Sequence, residues 1–258
     1  MAAGVSIVRH LGGKMMRIGV IGTGTIATAL VRGIAAAHQH ITVSNRSAEN
    51  ARALAQEFPN VTVADNQSVL DQSDLIVIAL MALAAPQILS GLQFRPDHRV
   101  ISMMAGATLD DVAQMVAPAD AAAILVPFPG IANGGSPVIA QGDVDLVQHV
   151  VTAANTVYPV QTDDELSAYL CAQAVLSPVA CLAADAAAWL APRVADPTRA
   201  EGFLRQLLSS SLMNSRADAL IAALNTPGGY NQQLRIMMED SGMRGALHDG
   251  LTKLEMRE

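Results

Sequence analysis

Met16-Arg-Ile-Gly-Val-Ile-Gly-Thr-Gly-Thr-Ile-Ala27 runs from an apolar strand through a glycine turn into a helix. Ile18, Val20 and Ile21 form the strand, and Ala29, Leu30, Ile34 and Ala35 give the helix one apolar face. Gly22-x-Gly24-x-x-Ala27 between them has the spacing of a dinucleotide turn. Gly22 permits the tight turn, Gly24 lets the backbone approach a pyrophosphate, and Ala27 lets helix and strand pack closely. The first helical N–H groups have no helical acceptor and face the negative charge. Gly22, Thr23, Gly24, Thr25 and Ile26 are therefore the first expected cofactor contacts.

Outward from this turn the chain alternates strand and helix. Ile41–Asn45 reads as a strand, Ser47–Phe58 as a helix with Ser47 as its cap, and Val61–Val63 as a short strand. Asp74–Leu80 is apolar after its first residue, as a central parallel strand buried on both faces requires. Arg99–Met103 follows, then a helix from Leu109 and a strand over Ala122–Val126 that ends at Pro127. Pro137–Ala140 and Tyr158–Gln161 read as edge strands, with a helix over Asp143–Val157 between them. The pattern predicts an α/β fold: a Rossmann-like doubly wound sheet with its ligand crevice at the carboxyl ends of the strands. Leu80, Met81, Ala105 and Gly106 then join the expected cofactor contacts.

From Asp163 no strand pattern remains. Helical stretches are expected over Asp164–Leu190, Thr198–Leu224 and Asn231–Met256, so an all-α domain follows the sheet. The expected division is an extension over 1–15, a dinucleotide-binding domain over 16–162 and a helical domain over 163–258. The extension is basic and has no long apolar core. It reads as disordered, or as residues upstream of the true start at Met15 or Met16.

Half of the 258 residues are apolar, 15% are charged and the net charge is −7. This describes a compact chain and argues against a nucleic-acid partner. Cys171 and Cys181 fall in one predicted helix, about 15 Å apart along its axis and too far for a disulfide. They suit a reducing compartment, with a cytoplasmic location expected, and are read as apolar packing residues. Leu166–Ala184 carries no charge, but Pro178 and the alanine content favour a helix buried between subunits over a membrane span.

The second strand ends in Ser44-Asn45-Arg46-Ser47, where NAD enzymes place an acid for the ribose 2′-hydroxyl. An arginine, an amide and a hydroxyl suit a 2′-phosphate, so NADP(H) is the expected cofactor. The only lysines, Lys14 and Lys253, lie near the chain ends, and no histidine falls at the carboxyl end of a predicted strand. Carbonyl reduction calls for an acid to protonate the developing alkoxide. An iminium already carries its proton, so positioning suffices. The missing acid points to a C=N substrate. The sequence alone leaves room for a non-catalytic NADP-binding or redox-sensing protein, and for a β-hydroxyacid dehydrogenase, although the helix from Asp164 lacks the lysine that the latter uses.

Gly22-Thr-Gly24, Ser44-Asn-Arg46, Val100–Gly106, Pro227-Gly-Gly229 and Met243–His248, in this order and spacing, resemble pyrroline-5-carboxylate reductase. The resemblance implies NADPH-dependent reduction of 1-pyrroline-5-carboxylate to proline. It also implies a homodimer formed through the C-terminal helices, which then serve dimerisation and substrate binding. It places Pro127, Phe128, Thr226, Gly228 and Gly229 at the substrate. The Pro-Gly-Gly turn precedes a helix, so its N–H groups suit a substrate carboxylate. Tyr230 and Asn231 stand where the family carries small residues ending in threonine. They are the catalytic candidates, Asn231 as a hydrogen-bond partner of the imine nitrogen and Tyr230 as a proton source or pocket wall. Phe128 and Met81 also depart from the family pattern, which leaves room for a different, more apolar imine. No metal is expected.

Overall fold

The computed structural model describes residues 16–256. The expectation for residues 1–15 therefore lies outside the described residues. Two compact units divide at Leu166/Ser167.

The first unit contains β1 (Ile18–Ile21), α1 (Thr25–Ile34), β2 (Ile41–Ser44), α2 (Ala48–Glu57), β3 (Val61–Ala64), α3 (Asn66–Asp71) and β4 (Leu75–Ile78). It continues through α4 (Ala85–Leu89), β5 (Arg99–Ser102), α5 (Leu109–Val116), β6 (Asp120–Pro127), β7 (Pro137–Gly142), α6 (Val144–Val151) and β8 (Thr156–Val160). The eight strands form one sheet in the order β3-β2-β1-β4-β5-β6-β7-β8. Every neighbouring pair is parallel except β6 and β7.

Strand alternation builds a core on each face. Leu75 and Val77 of β4 pack with Leu30, Ile34 and Leu54 from α1 and α2, and with Leu146 and Val150 from α6. Ile76 and Ile78 point the other way and pack with Leu70, Leu89, Val112 and Val116 from α3, α4 and α5. Both faces of the sheet are thus covered, which accounts for the unbroken apolar reading of this strand. Asp143 ties the far end of the unit together. It caps α6 by accepting from the Leu146 N–H at 2.8 Å and pairs with Arg99 at 2.7 Å. The Arg99 hydrogen bond, followed by the Leu146 N–H, holds the Asp143 carboxyl below the usual carboxylate range.

Several expected boundaries move. The helix expected to reach Val157 stops at Val151, because Thr152 adopts φ 64 and breaks the helical path before β8. β7 is an internal strand between β6 and β8. Gly134 and Gly135, at φ 76 and 74, let the chain return directly beside β6, so no crossover helix is needed and the pair is antiparallel. α3 and α4, which span 6 and 5 residues, escaped the periodic reading because they are too short to repeat an apolar face.

The helical unit takes in most of α7 (Asp163–Ala172), then α8 (Leu176–Leu190), α9 (Pro197–Asn214), α10 (Ala217–Ala223), α11 (Tyr230–Asp240) and α12 (Met243–Glu255). Two expected long helices are each broken once. Ser215 and Arg216 leave the helical region between α9 and α10, and Gly242 at φ 90 separates α11 from α12. No residue of α8 to α12 is buried, although Leu176, Trp189, Phe203 and Leu212 are large and apolar. Cys171 is buried but Cys181 is exposed, which corrects the expectation that both are packing residues. The segment Asp163–Arg193 is long and apolar enough to cross a membrane by length and composition.

Candidate functional site

Because β1, β2, β4, β5 and β6 run parallel, their carboxyl ends share one edge. The strand order reverses between β1 and β4, and the loops that follow them diverge to opposite faces at that point. The turn after β1 lies at this opening. Gly22 adopts φ 101, and a Cβ built there would sit 2.2 Å from the Ala79 carbonyl oxygen that follows β4. Both conformation and space therefore require glycine. Its N–H donates to the Ser44 hydroxyl at 2.8 Å, joining the turn to the end of β2. The Asn50 carboxamide of α2 donates to the Thr23 carbonyl at 2.7 Å. Thr23 is buried, and its hydroxyl lies 3.5 Å from the Ser44 and Ser47 carbonyls. Its side chain locks the turn from behind.

Gly24 differs from Gly22. It caps α1 in an extended conformation, with no side-chain cap, and an added Cβ would meet no atom within 4 Å. Thr25 is exposed and Ile26 half-buried. The Thr25, Ile26 and Ala27 N–H groups therefore open onto free space at the positive end of the helix. This is an anion-binding arrangement built from backbone alone.

The other expected residues of this unit follow the same edge. Asn45 and Arg46 are exposed after β2, and Arg46 has no hydrogen bond or ion pair among the described residues. Ser47 precedes α2, but its side chain makes no capping hydrogen bond, contrary to expectation. Leu80 is buried after β4 while Met81 is 75% exposed. Ala105 and Gly106 are exposed after β5, with Gly106 at φ 78. Pro127 is buried and Phe128 half-buried at the end of β6, where a 3₁₀ turn over Pro129–Asn133 begins. That turn packs on α1 so closely that a Cβ on Gly33 would lie 2.3 Å from the Ile131 carbonyl oxygen.

Residues 79–94, 103–109 and 121–142, which follow or include the ends of β4, β5 and β6, contain no Lys, Arg, His, Asp or Glu. His98 lies at the opposite, amino end of β5, fully buried, where burial and then Arg95 push its pKa down. It is a core residue.

Thr226, Gly228, Gly229, Tyr230 and Asn231 belong to the helical unit, so the structure gathers the expected contacts into two separate sets. Thr226–Gly229 is a type II turn: the Gly229 N–H donates to the Thr226 carbonyl at 2.9 Å, with Pro227 second and Gly228 third at φ 74. The Gly228 N–H donates to Gln232 Oε1 at 2.8 Å. The turn thus holds the Gly229 N–H, and the Gln232 side chain holds that of Gly228. The N–H groups left without an acceptor are those of the first turn of α11, Tyr230, Asn231 and Gln232, beyond an uncapped Gly229. Tyr230 is 91% exposed.

Ser44, Asn50 and Gln232 are the contributors that the sequence reading missed. Ser44 was visible as part of a strand end and of the Ser44-Asn-Arg46 motif but not as the acceptor of the Gly22 N–H, and Asn50 only as a polar helix residue. Their roles arise from the pairing of β1 with β2, which no local pattern encodes.

The fold and the turn define an architecture suited to a dinucleotide: a parallel sheet with an open glycine turn, followed by a helical unit. Residues 17–106 match the model of the family described as NADP oxidoreductase, coenzyme F420-dependent. A pyrroline-5-carboxylate reductase of Corynebacterium melassecola is 32% identical over 103 residues, spanning 37% of this chain and 38% of that relative. The crystal structure of Plasmodium falciparum pyrroline carboxylate reductase with NADP bound superposes with a TM-score of 0.79 at 14% identity, covering 95% of this chain and 98% of that one. An imine reductase from Pseudomonas sp. gives a TM-score of 0.60 at 20% identity, over 93% and 88% of the two chains. In particular, the chain has the fold of the pyrroline-5-carboxylate reductases and is similar in sequence to one of them over 103 residues.

The open space at Gly24 separates folding from binding. Gly24→Val places a side chain where the structure has none, so we expect a stability change within about 1 kcal/mol, the range of N-cap exchanges. Dinucleotide affinity should fall at least about tenfold, because the side chain keeps phosphate from the amides. Thermal unfolding and fluorescence titration with NADPH check this. Unaltered affinity would place the phosphates elsewhere.

Proposed function

We propose that this chain is an NADPH-dependent imine reductase that transfers hydride to the carbon of a cyclic C=N bond, with 1-pyrroline-5-carboxylate to proline within its range. The observation that carries this reading is the pairing of an open dinucleotide turn with segments after β4 and β5 and around the end of β6 that are devoid of ionisable side chains. NADP(H) fits the residues present: uncapped amides at Thr25–Ala27 for the pyrophosphate and Arg46, without a partner among the described residues, for the 2′-phosphate. When bound it supplies the hydride. As the new C–H bond forms, the C=N π pair moves to nitrogen and cancels the iminium charge. No protein acid is needed, and the work of the chain is to hold the imine carbon in place and exclude water.

Leu80, Met81, Ala105 and Gly106 line the cofactor side in this reading, with Pro127 and Phe128 as a wall at the substrate. In the helical unit, Thr226, Gly228 and Gly229 shape a turn that presents Asn231 and Tyr230. The Asn231 carboxamide orients the imine nitrogen, and Tyr230 narrows the pocket or relays a proton.

The unburied apolar side chains of α8 to α12 support a homodimer through the C-terminal helices, in which the apolar helix after Leu166 packs against a second copy instead of crossing a membrane. A cytoplasmic location belongs to the same reading.

NADPH oxidation should be seen with 1-pyrroline-5-carboxylate or another member of a cyclic-imine panel. Absence of turnover across the panel, with NADPH still bound, would remove the reading. Arg46→Ala should raise the Kd for NADPH about tenfold or more and leave that for NADH nearly unchanged, since only the former loses a charge-assisted contact. Equal weakening of both would reject Arg46 as the 2′-phosphate ligand. Light scattering should give twice the 26.9 kDa chain mass. A monodisperse monomer would refute the dimer.

A further inference from the structure

Asn50 lies in the first turn of α2 and is half-buried. Its Nδ2 donates to the Thr23 carbonyl at 2.7 Å. The Thr28 hydroxyl of α1 reaches the same oxygen at 3.4 Å. Thr23 is buried, and its carbonyl is held between the two helices. The Thr23–Gly24 peptide is trans, and in a trans peptide the carbonyl and the N–H that follows it point in opposite directions. Holding the Thr23 oxygen against α1 and α2 therefore turns the Gly24 N–H away from them. That N–H has no acceptor among the described residues. It joins the open amides of Thr25, Ile26 and Ala27 as a further donor to a pyrophosphate.

The opposite orientation of this peptide is also within reach of the chain. Rotating its plane by about 180° changes ψ of Thr23 and φ of Gly24 and little else. Gly24 stands at φ −71 and would pass to positive φ, which glycine adopts about as readily. A Cβ would forbid the change, but the open approach of phosphate requires that position 24 carry none. In the rotated form a carbonyl oxygen would face the phosphates in place of an N–H. The choice between the two orientations thus falls to the donors on the Thr23 oxygen, and Asn50 makes the shorter bond of the two.

We infer that Asn50 is a positioning residue of the cofactor site: its carboxamide holds the Thr23–Gly24 peptide with the N–H outward, so that the turn meets the pyrophosphate with a donor. This rests on the NADP(H) assignment above and is independent of the imine. The test measures Kd for NADPH and NADH by fluorescence titration, in the full-length protein, in Asn50→Ala, in Gly24→Ala and in the double variant. Alanine suits a helix interior at least as well as asparagine, so α2 should form in the variant, and thermal unfolding checks that it does. Asn50→Ala should weaken both dinucleotides about threefold or more, the contribution of one hydrogen bond, because both carry the pyrophosphate. In Gly24→Ala the added Cβ bars positive φ and fixes the peptide unaided. There the further change Asn50→Ala should alter either Kd by less than about twofold. A residue that only braced α2 would change Kd by the same factor in both backgrounds. Equal factors in the two backgrounds, unaltered affinity in Asn50→Ala, or a loss confined to NADPH would overturn the inference and leave the reductase reading standing. A parent that binds neither dinucleotide would overturn both. If Asn50→Ala does not fold, Asn50→Leu, which keeps the volume and removes the donor, takes its place, and the same outcomes decide.

Discussion

The contact between Gly22 and the Ala79 carbonyl is the constraint on which the rest depends. β1 and β4 are neighbours, and the chain leaving β1 must turn within one residue to avoid the chain leaving β4. A side chain at Gly22 would meet a backbone oxygen, which cannot move without disturbing the central strand pair. Ser44 takes the Gly22 N–H, and Asn50 takes the next carbonyl. The turn is thereby bound to both its neighbours, β2 on one side and β4 on the other. The free N-terminus of α1 is aimed by that clamp at the gap where the strand order reverses. Removing the Ser44 hydroxyl would strand a buried donor at the centre of the clamp, at a cost of about 1–3 kcal/mol.

What could be read in the sequence follows from how local the physics is. The glycine turn, the buried central strand and the change to helices after Asp163 are each encoded within a dozen residues, and each stands in the structure near its expected place. The end of α6 at Thr152 is set by a positive φ in a threonine, which has no propensity signature. β7 was legible as a strand but not as an internal one, because its place depends on pairing with β8 across an intervening helix. The candidate site divides in the same way. Backbone features at Gly22, Gly24 and the Pro227-Gly-Gly229 turn could be anticipated, since glycine reports its own conformation. Side-chain roles at Ser44, Asn50 and Gln232 could not, because each exists only through a partner at the end of another element or across a turn.

The Pro227-Gly-Gly229 turn shows how a motif's spacing leaves one hydrogen-bond assignment open. A type II turn needs glycine at its third position and consumes the fourth residue's N–H whatever the ligand. Only the third residue's N–H is free to be assigned, and here the next helix turn assigns it to Gln232. Motif spacing is blind to that choice.

The two units answer different physical demands. The sheet unit has a core on each face and contains the whole dinucleotide turn. The helical unit buries no residue of α8 to α12 within one chain, and apolar side chains left in water contribute nothing to its stability. Its internal ties are mainly polar and local, such as Arg235 and Arg244 converging on Glu239 at 2.8 and 2.6 Å. Pairs near the surface contribute little, about 0–1 kcal/mol each. In the proposed homodimer, burial of the apolar faces against a second copy would be a stabilising term of the right size. The stability of the helical unit would then depend on protein concentration through mass action, while that of the sheet unit, which holds its own core, would not.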